Sequence, residues 1–263
     1  MTGYFRGGSN RPEPMIRILL VHDVEKANLE VRGPYSIVDP NPEMNSFVPR
    51  APRYADKSRY LEVVSDGLKW GEAFPAQHQV KFIPENSNTY FMIDGQPYQG
   101  FIYAYEIPKS YTLSIVNEIP IDEYVRSILI PFQKEQYEQE TFNALAILAR
   151  TNAYYQAMNP KTNYWAVDAQ KVGFSGLAQG NRLIDNVVSL TRNMIMSRTG
   201  NYEGVATPFP VQFQDMPLGQ SARDAVVSKI TIDEANEMAK KGAHAAQILA
   251  KAFPGSTIML INN

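Results

Sequence analysis

The hydrophobic period of this chain changes at Asn117, and that change constrains the fold more than any other feature. Before it, "RILLVHDV", "EVRGPYSIVD", "RYLEVVS", "QVKFIPE", "TYFMIDGQPYQGFIYAYEI" and "SYTLSIVNEI" place β-branched and aromatic residues between Gly, Pro, Asn and Asp. That pattern predicts antiparallel strands. Asp94-Gly95 supplies the positive φ of a hairpin turn. The proline-rich stretch 39–53 is expected to be a loop or insertion, because proline cannot donate to a ladder.

After Asn117 the period becomes helical. Ile121, Tyr124, Val125, Ile128 and Leu129 form one apolar face, with Asp122 and Glu123 in the first turn where the helix dipole favours them. Pro131 disfavours helical geometry at Ile130 and is expected to stop the helix. A second helix follows, with a narrow face of Phe142, Leu145, Ala146, Ala149 and Ala153, so the two should pack as a hairpin joined by "PFQKEQYEQ". "WAVDAQKVGFSG" and "NYEGVATPFPVQFQD" read as strands and glycine loops, and "RLIDNVVSLTRNMIMSRTG" as a helix capped at Gly200. Thr231 and Glu234 have capping-box spacing, and Gly242 should divide the last helical stretch in two. The expected fold is α+β: a flexible stretch over 1–14, a strand-rich part over 15–117 and a helix-rich part over 118–263.

Composition then removes several functions. Lys and Arg total 25 against 27 Asp and Glu, a net charge of −2, so no basic field attracts nucleic acid and none is expected as a partner. Cysteine is absent, which excludes disulfides, thiolate nucleophiles and Cys-ligated zinc. His22, His78 and His244 are too far apart in sequence to share a metal from one helix face, so no metal or other cofactor is expected. No apolar run reaches the roughly 20 residues of a membrane-spanning helix, and no transmembrane segment is expected. The polar opening lacks the apolar middle of a signal peptide. Taken as given, that start points to the cytoplasm; a start downstream of an export signal points outside it.

The stretch "YQGFIYAYEI…YTLSIVNEIPIDEYVRSILIP" followed by "QETFNALAILARTNAYYQA" resembles the SpoIID/LytB family, the stage II sporulation protein D and amidase-enhancer group. Tyr98, Gly100, Val116-Asn117, Ile119-Pro120, Glu123-Tyr124, Glu140, Ala144, Ala149-Arg150-Thr151 and Ala153-Tyr154 stand at matching positions. Fainter likeness continues at Gln170 in "DAQKVGFSG", at Thr191, and in the closing segment "EANEMAKKGAHAAQILAKAFPGSTI".

The resemblance implies action on bacterial peptidoglycan. Family members of this kind cleave denuded glycan strands as lytic transglycosylases beside a cell-wall amidase, through the glutamate of a Glu-Met pair. One such carboxyl group, protonated near neutral pH, protonates the glycosidic oxygen and then takes a proton from the sugar. Here Phe132 stands at the glutamate and Gln133 at the methionine. The family's Ser-Gly-Gly-like stretch is not apparent in "TPFPVQFQDMPLGQS", and "AVVSK" (225–229) holds neither His nor Gly where a Gly-His-Gly run is expected.

A degenerate member is therefore expected, one that binds denuded glycan strands or a wall-remodelling partner such as an amidase. Phe132, Gln133, Arg150, Tyr154 and Gln170 are the candidate substrate-binding residues. Two readings compete with it: a transglycosylase using Glu135 or Glu138 from the interhelical loop, and an adaptor with no carbohydrate affinity. Arg150 has a structural alternative, pairing with Asp122 or Glu123 to order the hairpin. On the same resemblance, the chain is expected to face the periplasm or cell wall.

Overall fold

The computed structural model describes residues 14–41, 53–54, 56–160, 162–177, 180–198, 207–216 and 225–261. The N-terminal stretch up to residue 13, most of the proline-rich segment 39–53 and the cap expected at Gly200 lie outside them.

The strand half forms two six-stranded sheets. β1 (Met15–Val24), β2 (Lys26–Arg32), β3 (Tyr35–Val38), β4 (Lys57–Val64), β5 (Gly67–Trp70), β6 (Glu72–Pro75), β7 (Gln79–Pro84), β8 (Tyr90–Ile93), β9 (Gln96–Tyr98), β10 (Phe101–Ile107) and β11 (Thr112–Pro120) supply all but one of the strands. The first sheet has the order β12-β1-β11-β10-β7-β3, where β12 is the short Val167–Asp168 strand added parallel to β1. The second runs β6-β5-β4-β2-β8-β9 and is antiparallel throughout. "EVRGPYSIVD" divides at Gly33, whose φ of +97° turns the chain so that β2 and β3 enter different sheets. The β8–β9 hairpin turns at Asp94 and Gly95, both with positive φ, as their sequence predicts. Strands β5 and β6 lie in "GLKWGEAFP", whose short runs carry too little alternation to be read as strands.

The two sheets are joined by interlocked rings. Trp70 from the second sheet meets Tyr35 and Phe82 of the first edge-on, at centroid distances of 5.8 and 5.2 Å. Phe82 in turn meets Phe91 at 6.4 Å. Such pairs contribute about 0.5–1.5 kcal/mol each beyond the area they bury. The Trp70 indole N–H is satisfied by the Leu29 carbonyl at 2.9 Å.

The helical half comprises α1 (Ile121–Leu129), α2 (Gln139–Met158), α3 (Ala169–Val172), α4 (Arg182–Leu190), α5 (Ile232–Lys240) and α6 (Ala245–Ala252). A 3-10 turn over Ile130–Lys134 follows α1 and contains Pro131, which ends the regular helix as expected. The capping box at Thr231 and Glu234 is formed, and Gly242, with φ +89°, separates α5 from α6. Two expectations are corrected. Helix α4 stops at Leu190; Asn193 at φ +62° turns the chain, and β13 (Met194–Arg198) pairs antiparallel with β16 (Ser256–Leu260). Two short strands, β14 (Val211–Gln212) and β15 (Val226–Val227), pair parallel nearby. Helix α2 is also not narrow-faced: every residue from Thr141 to Tyr154 is buried, polar ones included. It runs through the middle of the helical half against α1, α4, α5, α6, β13 and β14.

A polar side chain in such a helix must find partners inside the protein. Arg150, 1% exposed, donates Nε to Asp122 Oδ1 at 2.9 Å and Nη1 and Nη2 to the carbonyls of Thr191 and Val188 at 2.8 and 3.3 Å. It therefore caps the C-terminus of α4 while tying α2 to α1. Asn152 exchanges both its amide groups with the backbone of Val211, and Thr151 Oγ1 accepts from Met196 N at 2.9 Å. Among the described residues no helix is long and apolar enough to cross a membrane, which says nothing of crossing by strands.

Removing the Arg150 donors leaves Asp122 with only the longer contact to Arg192 at 3.7 Å and takes a donor from the Val188 and Thr191 carbonyls at the end of α4, so Arg150→Met is expected to lower the unfolding free energy by about 3 kcal/mol. Arg150→Lys, lacking the planar fork, should recover only part of it; equilibrium urea unfolding measures both, and a loss under about 1 kcal/mol would contradict this account.

The outer face of the first sheet carries a second charge cluster. Glu118 accepts from Arg17 Nε at 2.8 Å and from the Tyr103 hydroxyl at 2.7 Å, with Lys81 Nζ at 3.4 Å. Burial raises the Glu118 pKa, but the bonds from Arg17 and Tyr103 and the two cations outweigh it and hold the group below its ordinary value of 4.5. A carboxylate depressed on folding stabilises the protein above its unfolded value and loses that contribution as pH falls through the folded one. Thermal stability is thus expected to fall below about pH 4.5, and Glu118→Gln should flatten that part of the melting-temperature profile.

Candidate functional site

The site begins with glycines at positions where a side chain would collide with its neighbours. Gly100, at φ +84°, opens β10 so close to β11 that a Cβ would overlap the Glu118 carbonyl and the Ile119 side chain. Asn117, wholly buried on β11, fixes this corner by donating Nδ2 to the carbonyls of Gln99 and Phe101 at 2.7 and 3.0 Å. Its Oδ1 is buried with no hydrogen-bond partner among the described residues.

A distant segment closes against this corner. Helix α3 ends at Gly173 in the left-handed conformation, and Phe174 to Leu177 then lie along β9 and α1. Leu177 N donates to the Pro97 carbonyl at 2.8 Å, and Ser127 Oγ to the Gly176 carbonyl at 3.2 Å. Gly176 has φ +83°, and a Cβ there would overlap the Pro97 carbonyl and press on the Tyr98 ring.

Between the two lies a hollow of about 250 Å³ lined by Ser87, Gln99, Gly100, Asn117, Pro120, Glu123, Phe174, Gly176 and their neighbours. Beneath it Phe174 stacks between Tyr98 and Tyr124, each at 6.1 Å. Burial pushes the Tyr124 phenol well above its ordinary pKa and raises that of Tyr98, so both stay neutral. The carboxylate in the hollow is Glu123, 47% exposed and ion-paired with Arg126, which also donates to Asp185 at 2.8 Å. Burial lowers the Arg126 pKa, but these two carboxylates outweigh it and raise it. A second hollow of about 310 Å³ shares Leu177 with the first and is lined by Gln96, Ser127, Ile130, Gln133 and Ser175. Together they make a groove along α1, with acceptors and amides on its walls and aromatic rings below.

Of the residues singled out from the sequence, Gln133 lines this groove; it accepts from Asn181 Nδ2 at 2.6 Å, at the N-terminus of α4. Phe132 is half-buried and packs its ring against the core. Arg150 and Tyr154 are buried within α2, at 1% and 8% exposure, and the Arg150 pairing follows its structural alternative. Gln170 is exposed on α3, outside both hollows. Glu135 and Glu138 are exposed on the interhelical loop, also outside both hollows. That loop is tied toward α5, with Glu138 N donating to Asn236 Oδ1 at 2.8 Å. Among the described residues no group of His, Asp and Glu is placed to hold a metal ion.

The sequence pointed away from part of the site. Glu123 lies in the matched motif but reads there as a first-turn helix residue, and Ser87 and Gln99 flank turns whose approach to α1 depends on long-range packing.

Gly176→Ala combines a positive φ with overlap, whereas Gly95→Ala, at φ +87° in open space, meets only the first. Gly176→Ala is expected to destabilise by about 1–3 kcal/mol more than Gly95→Ala. Equal losses in denaturant titrations would mean that the 174–177 segment is not clamped as described.

Comparison with known proteins places this groove in a family context. The family model for stage II sporulation protein, SpoIID, matches residues 109–197. An uncharacterized protein of Chlamydia pneumoniae is 30% identical over 166 residues, 62% of this chain and 58% of its own length. Another uncharacterized protein, from Chlamydia muridarum (strain MoPn / Nigg), is 25% identical over 254 residues, 95% of this chain and 79% of its own length. The alignment with the first thus spans little over half of that relative. The family match points to a cell-wall-related role.

Proposed function

We propose, from the premise that this chain is a divergent member of the SpoIID family, that it binds peptidoglycan glycan strands in the groove along α1 without cleaving them. One observation carries the proposal: Gly100, Asn117, Pro120 and Glu123 from the motif and Gly176 from the distant glycine segment line the same hollow. Residues far apart in sequence are thus brought to one space beside α1. The lining suits a sugar. Glu123 and the Gln99 and Gln133 amides offer hydrogen bonds to hydroxyl and acetamido groups, while Phe174 and Leu177 offer apolar surface.

Phe132 in place of the family's glutamate favours binding over cleavage, because it has no transferable proton and its half-buried ring packs against the core. In this reading the protein faces the wall from the periplasmic side and works beside a wall-remodelling enzyme such as an amidase.

The test incubates the purified protein with denuded strands and with intact peptidoglycan, following anhydro-muropeptides by mass spectrometry and retention by pull-down. Retention without products is expected, and Glu123→Gln together with Gln99→Ala should weaken it by about tenfold or more, the worth of one or two hydrogen bonds. Anhydro products that disappear in Glu135→Gln or Glu138→Gln would instead establish a transglycosylase with a displaced acid. Neither retention nor products would leave a protein-binding adaptor.

A further inference from the structure

The first sheet presents its other face to a second, smaller cluster of Leu19, Tyr103, Tyr105 and Val116, flanked by Phe101 and Trp165. Strand alternation produces it: Phe101, Tyr103 and Tyr105 point outward from β10 while Ile102 and Ala104 point into the core. Here lies a hollow of about 210 Å³ lined by Arg17, Gln79, Lys81, Tyr103, Tyr105, Asn163, Tyr164 and Pro40. Glycine, asparagine and glutamate of the groove along α1 are absent from it, and the two spaces share no lining residue.

Its charge is unusual. Arg17 and Lys81 both line the hollow, and among the described residues no carboxylate does. Glu118 sits behind them and holds both, leaving this trio with one surplus positive charge. The two cations flank the Tyr103 ring, each 4.7 Å from its centroid. Lys81 is only 19% exposed, and burial lowers its pKa, so its charge is partly desolvated. An anion arriving here would offset that cost. At the rim Tyr164 is 45% exposed and leans on Tyr105 at 4.5 Å, next to Trp165.

We infer that this hollow is a binding site for a carboxylate-bearing sugar, whose carboxylate meets Arg17 and Lys81 and whose ring rests against Tyr164. The Gln79 and Asn163 amides on the walls match ring hydroxyls or an acetamido group. The volume fits about one pyranose unit rather than a folded partner surface. A bare anion would use the cations but neither the aromatic rim nor the amides, and an acidic peptide would find one small pocket rather than a groove to lie in.

The experiment titrates the isotope-labelled protein with N-acetylmuramic acid and with N-acetylglucosamine, which lacks the lactyl carboxylate, and reads backbone amide shifts by NMR. Acetate, inorganic phosphate and hexaglutamate are run alongside. The expected result is saturable shifts centred on Lys81, Tyr105 and Tyr164 with N-acetylmuramic acid, and about tenfold or weaker binding of N-acetylglucosamine, as losing a charge-assisted hydrogen bond implies. Lys81→Met should remove the preference for the acid. Tyr164→Ala, at a rim position 45% exposed, should weaken binding of the acid severalfold. Equal binding of the two sugars, shifts confined to other parts of the molecule, or unchanged affinity in both variants would overturn the inference. Acetate or phosphate binding as well as the sugar acid would reduce the site to a general anion site, and tighter binding of hexaglutamate would assign it to an acidic peptide; either outcome overturns the sugar assignment.

Discussion

A helix buried on all sides must satisfy any polar side chain it carries, and α2 carries three in a row. Arg150, Thr151 and Asn152 each project in a different direction around the helix, and each meets the backbone of a different element: the end of α4, strand β13 and strand β14. The helical half is thus assembled around α2 by hydrogen bonds as much as by apolar packing. At its start the helix exchanges caps with its neighbours: Asn236 of α5 accepts from Glu138 N and Thr141, while Glu140 accepts from the first amide of α6. Small residues at Ala144, Ala146, Ala149 and Ala153 let these elements approach.

That arrangement positions the groove. Arg150 holds Asp122 in the first turn of α1, and one residue further on Glu123 reaches the hollow, while Arg126 bridges it to Asp185 on α4. The same helix offers Ser127 to the Gly176 carbonyl. The wall facing α1 comes from the β9–β10 corner, where Gly100 and Asn117 let two strands crowd together. The first sheet therefore serves two sides at once: its inner residues support the helices and the groove, and its outer residues on β1, β7 and β10 build the cationic, tyrosine-lined hollow. Because side chains alternate, Asn117 and Glu118 belong to opposite faces.

Much of this was legible in the residues. The change of period at Asn117 marks the division between sheets and helices, and Thr231, Gly242 and Asp94-Gly95 act locally, so their caps and turns could be read directly. Local rules failed where a partner far along the chain decides the outcome. "MIMSR" continues a helical-looking run but becomes a strand because β16 lies alongside it. Periodicity could not tell a helix with one small-residue face from a helix surrounded on every side. For the site, motif matching located Gly100, Asn117 and Glu123 without showing that they share a space, and it offered Arg150 and Tyr154 as substrate-binding candidates although their neighbours bury them.

The relation between groove and lost acid can be argued on geometry. A general acid must lie within hydrogen-bond reach of the glycosidic oxygen, in a setting that keeps its proton. Among the described residues, the carboxylate lining the groove is Glu123, and Arg126 faces it as a permanent cation. Glu135 and Glu138 lie on a loop anchored at one end by the core-packed Phe132 ring and at the other by the bond from Glu138 N to Asn236. Carrying the loop backbone at Glu138 toward the groove would break that bond. A loop tied to α5 in this way stabilises the start of α2, the helix on which the rest depends. Under the proposed reading, replacement of the acid by phenylalanine therefore trades a reactive group for packing at the point where the helical hairpin turns, and leaves the sugar-facing walls intact.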